Sequence, residues 1–172
     1  MTTGRALRPG DDLAGYRVDA CVGRGGMGEV FRAHDERLGR DVAIKLLAPH
    51  RADDPAFRER LLRESRLAAS LDHPNVVPEY DAGEVDGRLY LVMRYVDGTD
   101  LRALLRREGA LEPERALAIA GGVAAALDAA HEHGLVHRDV KPSNVLLDAR
   151  GHPYLADFGL TRSPSDPTPG GT

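Results

Sequence analysis

Two short stretches carry most of the chemistry of this chain: HRDVKPSN at residues 137–144 and DFG at residues 157–159. The first places a carboxylate, an amine and an amide on one segment, at Asp139, Lys141 and Asn144. The second adds the carboxylate of Asp157 after a segment that reads as a hairpin. A placed carboxylate can orient a hydroxyl group and accept its proton, and oxygen side chains are the ligands that Mg²⁺ prefers. Each residue alone would be read as a solvated loop position, but the four at this spacing indicate a catalytic site.

Two further motifs precede this loop: GRGGMGEV at residues 23–30 and VAIK at residues 42–45. Repeated glycines let a backbone approach phosphate groups closely, with its N–H groups pointing inward. The glycine pattern alone is weak, because dinucleotide-binding proteins carry a similar one. Such a protein needs the glycines to lead from a strand into a helix. Here residues 29–33 read as a second strand, so the dinucleotide interpretation is rejected.

In this order and spacing the motifs resemble those of the eukaryotic-like Ser/Thr protein kinases, and the details resemble the bacterial ones. Glu64 and LDHPN at residues 71–75 match the family's helix C and the turn after it. LVMRYVDG at residues 91–98 matches the strand and hinge between the lobes. The resemblance covers residues 16–172. It implies an α+β two-lobe fold, with a complete five-stranded small lobe, helix C, and only the first part of the helical large lobe.

The resemblance also implies domain boundaries. We expect a flexible lead-in over 1–15, the small lobe with hinge over 16–97, and a partial large lobe with the catalytic loop and DFG over 98–162. Residues 163–172 would be an incomplete, disordered activation segment. Only 13 residues follow Gly159, so the expected form is a fragment truncated within that segment.

Periodicity and turn signals predict the elements of the small lobe. The expected strands are residues 16–22, 29–34, 41–47, 76–84 and 88–95, the last two joined by an Asp86-Gly87 turn. Asp53 or Asp54 can cap a helix with Pro55 in its first turn. Glu64 falls on the inward stripe of that helix, although a surface acid is the alternative that the local pattern leaves open.

Two helices are predicted after the hinge, a short one over residues 100–107 and a long one over 112–132. The long helix carries an apolar stripe that must pack on something. Its members are Leu117, Ala120, Val123, Ala124, Leu127 and His131. In the family, the partners of this stripe follow the activation segment, so we expect it to lack them here.

The resemblance implies an ATP site between the lobes. Its residues would be Val22, Gly23, Gly25, Gly28, Val30, Ala43, Lys45, Met93, Arg94, Val96 and Leu146. Met93 would be the gatekeeper, and the backbone of Arg94 and Val96 would be the hinge that binds adenine. Val30 and Ala43 could equally be ordinary core. Asp100 could contact ribose or merely cap the short helix.

The catalytic roles are implied in the same way. Asp139 would be the base, Lys141 would stabilise the transferring phosphoryl group, and Lys45, held by Glu64, would bind the α- and β-phosphates. Asn144 and Asp157 would bind Mg²⁺, so ATP and Mg²⁺ are the expected cofactors. His137 and Phe158 are interpreted as structural: a ring packed under the loop and an anchor that orients Asp157.

Arg138, directly before Asp139, predicts regulation by phosphorylation, because a guanidinium can pair with an added phosphate. Candidate acceptors are Ser163, Ser165, Thr168 and Thr172. The implied partners are a protein substrate with a Ser or Thr acceptor, with autophosphorylation possible in principle, and a second copy through exposed large-lobe surface.

Composition excludes several other classes. A net charge of −4 and a pI near 6.0 give no indication of nucleic-acid or membrane-surface binding. Cys21 is the only cysteine, so no intrachain disulfide can form and a reducing cytoplasm is expected. No apolar run is long enough to span a bilayer, although an anchor beyond residue 172 is left open. The histidines 131, 133 and 152 form no zinc pattern with that cysteine.

Two function classes remain. The first is an ATP-dependent Ser/Thr protein kinase, which the intact catalytic set favours. The second is an ATP-binding or interaction module without transferase activity, because the substrate platform of the family is missing. An inert fragment is a third alternative. The DNA sequence just past codon 172 would discriminate among these three alternatives.

Overall fold

The computed structural model describes residues 7–158, and its larger sheet is antiparallel throughout. The strands are β1 (Asp12–Leu13), β2 (Tyr16–Gly25), β3 (Gly28–Asp35), β4 (Arg40–Leu47), β5 (Glu79–Val85) and β6 (Arg88–Arg94). Their order across the sheet is β1-β2-β3-β4-β6-β5. The five predicted strands are all found, and Asp86 and Gly87 form the predicted turn with positive φ angles of 49° and 72°.

Strand β5 begins later than predicted. The expectation was residue 76, but β5 begins at Glu79. Val76 instead bridges Leu155, and the N–H of Val77 donates to the Leu155 carbonyl. Pro78 has no N–H to offer a ladder, so the chain joins the sheet only after it.

The lead-in is not loose where the structure describes it. Leu13 pairs with Tyr16 across the β1–β2 hairpin and is only 4% exposed. Ala14 and Gly15 make the turn, with φ angles of 55° and 87°. The prediction of a flexible segment is therefore wrong at residues 12–15, because Leu13 and Tyr16 belong to the core on one face of the sheet. Residues 1–6 lie outside the described part of the chain.

Two helices cross the other face of the sheet: α1 (Pro49–Ala52) and α2 (Pro55–Ala69). Asp54 caps α2 as predicted, since its Oδ1 accepts from the N–H groups of Ala56 and Phe57 at 2.9 and 3.2 Å. The predicted inward face is confirmed: the buried residues of α2 are Phe57, Leu61, Glu64, Ser65 and Ala68. Glu64 is thus a buried acid and not a surface one.

The second half of the chain has a smaller sheet and two helices. The elements are β7 (Gly98–Asp100), α3 (Leu101–Glu108), α4 (Pro113–Glu132), a 3₁₀ turn (Pro142–Asn144), β8 (Val145–Asp148) and β9 (Pro153–Leu155), with strand order β7-β8-β9. Helix α4 packs on β9, and Gly122 permits the contact. A Cβ at Gly122 would lie 2.6 Å from Pro153 and 2.9 Å from Asn75.

Residues 7–158 leave the outer face of helix α4 exposed. Leu117 is 72% exposed, whereas Ile119, Ala126 and Ala130 face inward. The exposed face continues into an apolar groove of about 570 Å³ between α3 and α4. Its lining includes Ala120, Val123, Ala124 and Leu127 of the predicted stripe, together with Leu101, Leu105 and Val140. Within residues 7–158 the prediction that this stripe lacks partners is confirmed for Leu117, Ala120 and Ala124, which are exposed. It is wrong for Val123 and Leu127, which are partly buried against the core of the second half.

Candidate active site

The catalytic-loop side chains converge on one carboxylate. Lys141 Nζ lies 2.6 Å from Asp139 Oδ2, and Asn144 Nδ2 donates to the same oxygen at 3.2 Å. Asn144 Nδ2 also donates to the Asp139 carbonyl at 2.9 Å. The 3₁₀ turn begins at Pro142, whose fixed φ suits a first helical position, and brings Asn144 back toward Asp139. The structure therefore brings together the acid, the cation and the amide that the sequence spacing singled out.

His137 holds this loop from below. It is buried, and its Nε2 lies 2.8 Å from the Ala156 carbonyl oxygen. Its Nδ1 accepts from the Asp139 N–H at 3.2 Å. A carbonyl can only accept and an N–H can only donate, so the contacts assign the neutral tautomer with its proton on Nε2. The ring also packs edge-on against Phe158, with centroids 4.8 Å apart. The structural interpretation of both rings is confirmed.

Asp157 reaches across the cleft to the small lobe. Its Oδ2 lies 2.7 Å from Lys45 Nζ, an ion pair between the chain segment after β9 and strand β4. The backbone of Asp157 is left-handed, with φ 67°, and the adjacent Phe158 is fully buried. A non-glycine residue held at positive φ costs free energy, so the surrounding packing must maintain it. Here the packing of Phe158 aims the carboxylate at Lys45.

Glu64 does not make its expected ion pair. Among the described residues, Lys45 pairs with Asp157, whereas Glu64 Oε1 lies 3.5 Å from Arg138 Nη1. Glu64 Oε2 is buried and has no hydrogen-bond partner in residues 7–158. The expectation that Glu64 holds Lys45 is therefore wrong for this arrangement. Asp157 occupies the amine, and Arg138, whose own φ is 63°, reaches helix α2 instead.

A cavity of about 340 Å³ lies between the lobes. Strands β2, β3 and β4 and the hinge supply its walls. Of the residues predicted to bind ATP or metal, those that line it are Val22, Val30, Ala43, Lys45, Met93, Arg94, Val96, Leu146 and Asp157. Apolar walls with a cation and an anion at one end suit a ligand with a flat apolar part and a charged part.

Some cavity residues were missed by sequence reasoning. Tyr95, Gly98, Thr99, Ser143 and Ala156 also line the cavity. The available signals were the motifs themselves, because Ser143 lies inside the catalytic-loop motif and Tyr95 and Gly98 lie inside the hinge motif at residues 91–98. Asp100 caps α3, since its Oδ1 accepts from the Ala103 N–H at 2.8 Å. It also lines the cavity, and its contact with ribose stays a prediction.

The predicted phosphate-loop glycines form the hairpin between β2 and β3 and are not among the residues that line the cavity. The three glycines differ in whether their surroundings would admit a side chain. Gly28 has φ +139°, and a Cβ there would collide with the Leu46 carbonyl on β4. Gly25 faces open space, and a Cβ at Gly23 would meet only Val30 at ordinary contact distance. Gly28 is thus fixed by packing within the sheet, whereas Gly23 and Gly25 leave room over the turn.

The protein kinase domain family matches residues 16–169 of this chain. The chain therefore belongs to the protein kinase family. Serine/threonine-protein kinase PknD of Mycobacterium tuberculosis is 49% identical over 158 residues, which cover 92% of this chain and 24% of that protein. PknE of the same species is 49% identical over 159 residues, covering 92% and 28%.

Solved structures agree with the fold. The kinase domain of Mycobacterium tuberculosis PknI superposes with a TM-score of 0.84 at 43% identity, covering 93% of this chain and 66% of that chain. A double mutant of the same domain gives a TM-score of 0.85 at 42% identity, covering 95% and 68%. The chain spans about a quarter of the length of its curated relatives PknD and PknE. The family implies ATP and a divalent metal. No helix within residues 7–158 is long and apolar enough to cross a membrane.

Proposed function

We propose that this chain carries the nucleotide-binding and catalytic-loop part of a Ser/Thr protein kinase. The activity would be transfer of the γ-phosphoryl group of ATP to a Ser or Thr hydroxyl of a protein, including acceptors on the chain's own copies. The convergence of Lys141 and Asn144 on Asp139, beside a cavity that ends in Lys45 and Asp157, carries the proposal. Residues 16–97 would form the small lobe with its hinge, and 98–162 the part of the large lobe in this chain.

Asp139 would orient the acceptor hydroxyl and take up its proton as the oxygen attacks phosphorus. Its Oδ2 already accepts from two donors, which fixes the carboxylate plane. Lys141, whose Nζ lies 2.6 Å from Asp139 Oδ2, would stabilise the negative charge that develops on the phosphoryl oxygens. The proton leaves the hydroxyl for Asp139, the new bond forms at the γ-phosphorus, and ADP departs with the electron pair of the broken bond.

The chemistry of the donor set fits a Mg²⁺ ion. Asn144 uses its Nδ2 to donate to Asp139, so its Oδ1 remains free to act as a ligand. Asp157 offers a carboxylate. One carboxylate and one amide oxygen suit Mg²⁺, which fills its other positions with water and phosphate oxygens. When bound, the metal would supply neutralisation of phosphate charge.

The Lys45–Asp157 pair would then belong to a resting arrangement. Asp157 cannot give its Oδ2 fully to a metal while Lys45 holds it at 2.7 Å. Nucleotide binding would transfer Lys45 to the phosphates and free Asp157 for the metal. Glu64, now 3.5 Å from Arg138, would move to Lys45. The roles of all four residues are part of this proposal.

Phosphoryl transfer to a generic basic protein, measured with purified full chain, Mg²⁺ and radiolabelled ATP, tests the proposal. Asp139→Asn should lower kcat by ~10²- to 10⁴-fold with little change in nucleotide affinity, as expected for a positioned acid–base group. Asp128→Asn, on the exposed side of α4, is the control and should leave kcat unchanged. Equal turnover in the Asp139 variant and the parent would remove Asp139 from the role of base.

The uncovered groove between α3 and α4 favours a second candidate, a nucleotide-binding module without transferase activity. A kinase needs a platform for its protein substrate, and residues 7–158 leave this surface open. Tight Mg²⁺-dependent ATP binding without any Asp139-dependent phosphoryl transfer would support the second candidate over the first.

A further inference from the structure

Arg94, the last residue of β6, lies between two cavities. One is the cavity between the lobes, and the other is a groove of about 540 Å³ behind the hinge. Residues 72–78 and the β8–β9 hairpin supply the other walls of this rear groove. Within residues 7–158, Arg94 alone lines both cavities. Whatever holds its side chain behind the hinge can therefore act on the cavity between the lobes.

The backbone of Arg94 is held by the larger sheet. Its N–H donates to the Pro78 carbonyl at 3.0 Å, and it lies opposite Val42 of β4 in the ladder. The next three residues, 95–97, belong to no strand, and the chain enters the smaller sheet at Gly98. The hinge is thus a short segment with one sheet before it and the other sheet after it.

The side chain of Arg94 joins the two sheets across this segment. Its guanidinium carbon lies 5.3 Å from the centre of the Tyr154 ring, on β9 of the smaller sheet. Arg94 makes no ion pair within residues 7–158, so the ring is the group that holds the guanidinium there. A cation over the face of an aromatic ring is attracted by the negative charge of that face.

Tyr154 offers a buried platform. It is only 8% exposed and belongs to a hydrophobic core cluster. Its ring also contacts the His152 ring edge-on, with centroids 4.8 Å apart. In the β8–β9 ladder Tyr154 lies opposite Leu146, which lines the cavity between the lobes, and the chain reaches Asp157 three residues later. The ring is therefore carried by the strand that leads to the candidate metal ligand.

We infer that Arg94 is a positioning residue for the nucleotide site: stacked on Tyr154, it fixes the spacing between the hinge and the strands β8 and β9. Tyr95 and Val96 follow it directly and line the cavity, so that spacing sets the room for the base of a nucleotide. Without the stack the hinge populates other arrangements, and the affinity falls with the fraction of molecules that remain competent to bind. The inference rests on the proposed function, because it concerns nucleotide binding in that same cavity.

The alternative is a purely electrostatic role, in which the charge of Arg94 attracts the phosphates of a nucleotide. Arg150 separates the two roles. It is an exposed arginine that lines the same rear groove, and no aromatic ring within residues 7–158 lies under its guanidinium. A long-range effect of charge would act from both arginines and would be screened by salt. The effect of the stack belongs to Arg94 alone.

Titration calorimetry of the full chain with ATP and Mg²⁺ tests the inference. Arg94→Ala should weaken binding by about two- to fivefold, the factor that corresponds to an exposed cation–π contact. Arg94→Lys, which keeps a cation for the ring, should restore most of the affinity, and Arg150→Ala should bind as the parent does. Parent-like affinity in Arg94→Ala, or an equal loss in Arg150→Ala, would overturn the inference.

A double-variant cycle assigns the effect to the ring. Tyr154→Phe keeps the ring and should bind ATP as the parent does. Tyr154→Leu removes the ring, and its combination with Arg94→Ala should lose no more affinity than the weaker-binding single variant. Losses that multiply in the double variant would overturn the inference, because the two side chains would then act independently.

Salt decides the same question if Tyr154→Leu does not fold. The loss of affinity in Arg94→Ala should be the same at low and high salt, and a loss that disappears at high salt would overturn the inference. A folded parent chain that binds no ATP would contradict the proposed function and the inference together. Parent-like binding in Arg94→Ala would overturn the inference alone.

Discussion

Glu79 is the residue at which burial and charge conflict most clearly. Its pKa rises to about 8, from 4.5, chiefly because it is buried. The folded protein therefore keeps Glu79 protonated at pH values where the unfolded chain has ionised it. The stabilising contribution of the neutral form is complete below the unfolded pKa and is lost as pH rises through the folded one.

Replacing Glu79 by Gln should remove this dependence on pH. Between about pH 5 and 8, Glu79 lowers the free energy of unfolding of the parent by roughly 1.4 kcal/mol per pH unit. The advantage of Glu79→Gln over the parent should grow with pH across that window in urea denaturation. Glu59→Gln is the control. An advantage independent of pH would show that Glu79 is ionised in the fold.

At the scale of single elements, Gly28 is the position where the β2–β3 hairpin tolerates no side chain. Gly28→Ala should lower the free energy of unfolding by ~1 to 3 kcal/mol, since φ +139° and the Leu46 carbonyl both exclude a Cβ. Gly25→Ala, where a Cβ meets nothing within 4 Å, is the matched control and should change stability by about 0.5 kcal/mol or less. Thermal or urea denaturation measures both. Equal effects would refute the steric role of Gly28.

Several elements follow from local sequence signals. The Asp54 cap with Pro55 determines where α2 begins, and Asp86-Gly87 determines the β5–β6 hairpin. Short β1 was missed because Ala14 is not a residue that signals a positive-φ turn. The start of β5 was misplaced because Pro78 removes a ladder donor, and because the chain before it pairs with Leu155 from the other sheet.

The sequence predicts which residues form the candidate site, but not which of their side chains form ion pairs. The HRD and DFG motifs name the residues, and Asp139, Lys141 and Asn144 meet as their spacing indicates. Which acid pairs with Lys45 depends on the position of α2 and on the left-handed backbone of Arg138 and Asp157. Glu79 lies at a register shift of β5, between Glu79 and Asp81, that the sequence did not predict. No local pattern encodes these tertiary features.

At the scale of the whole molecule, the two halves differ in how completely they are packed. The larger sheet has core on both faces, whereas α4 packs through one side only. Amide exchange should therefore be slow in β4 and β6 and faster across α4. Strong protection over residues 112–147 in a monomer would contradict this account, because it would require the chain to cover that face by itself.

Substitutions in helices α3 and α4 give an independent measure of whether the outer face of α4 is buried. Leu117→Glu should change the free energy of unfolding by about 0.5 kcal/mol or less, because Leu117 is exposed. Leu104→Ala, at a buried position of α3, should cost about 2 to 5 kcal/mol. A large loss in the Leu117 variant, measured together with the oligomeric state, would show that this face is buried by self-association.

Mg²⁺-dependent binding of ATP to the full chain, measured by titration calorimetry, tests most directly the assignment of the cavity between the lobes as a nucleotide site, on which both candidate functions depend. The account predicts saturable binding at one site that weakens without Mg²⁺ and weakens in Lys45→Met and Asp157→Asn. Lys141→Met should have a smaller effect, because Lys141 lies outside the residues that line the cavity. Absence of nucleotide binding to folded protein, or binding indifferent to Mg²⁺ and to both variants, would contradict the assignment of the cavity between the lobes.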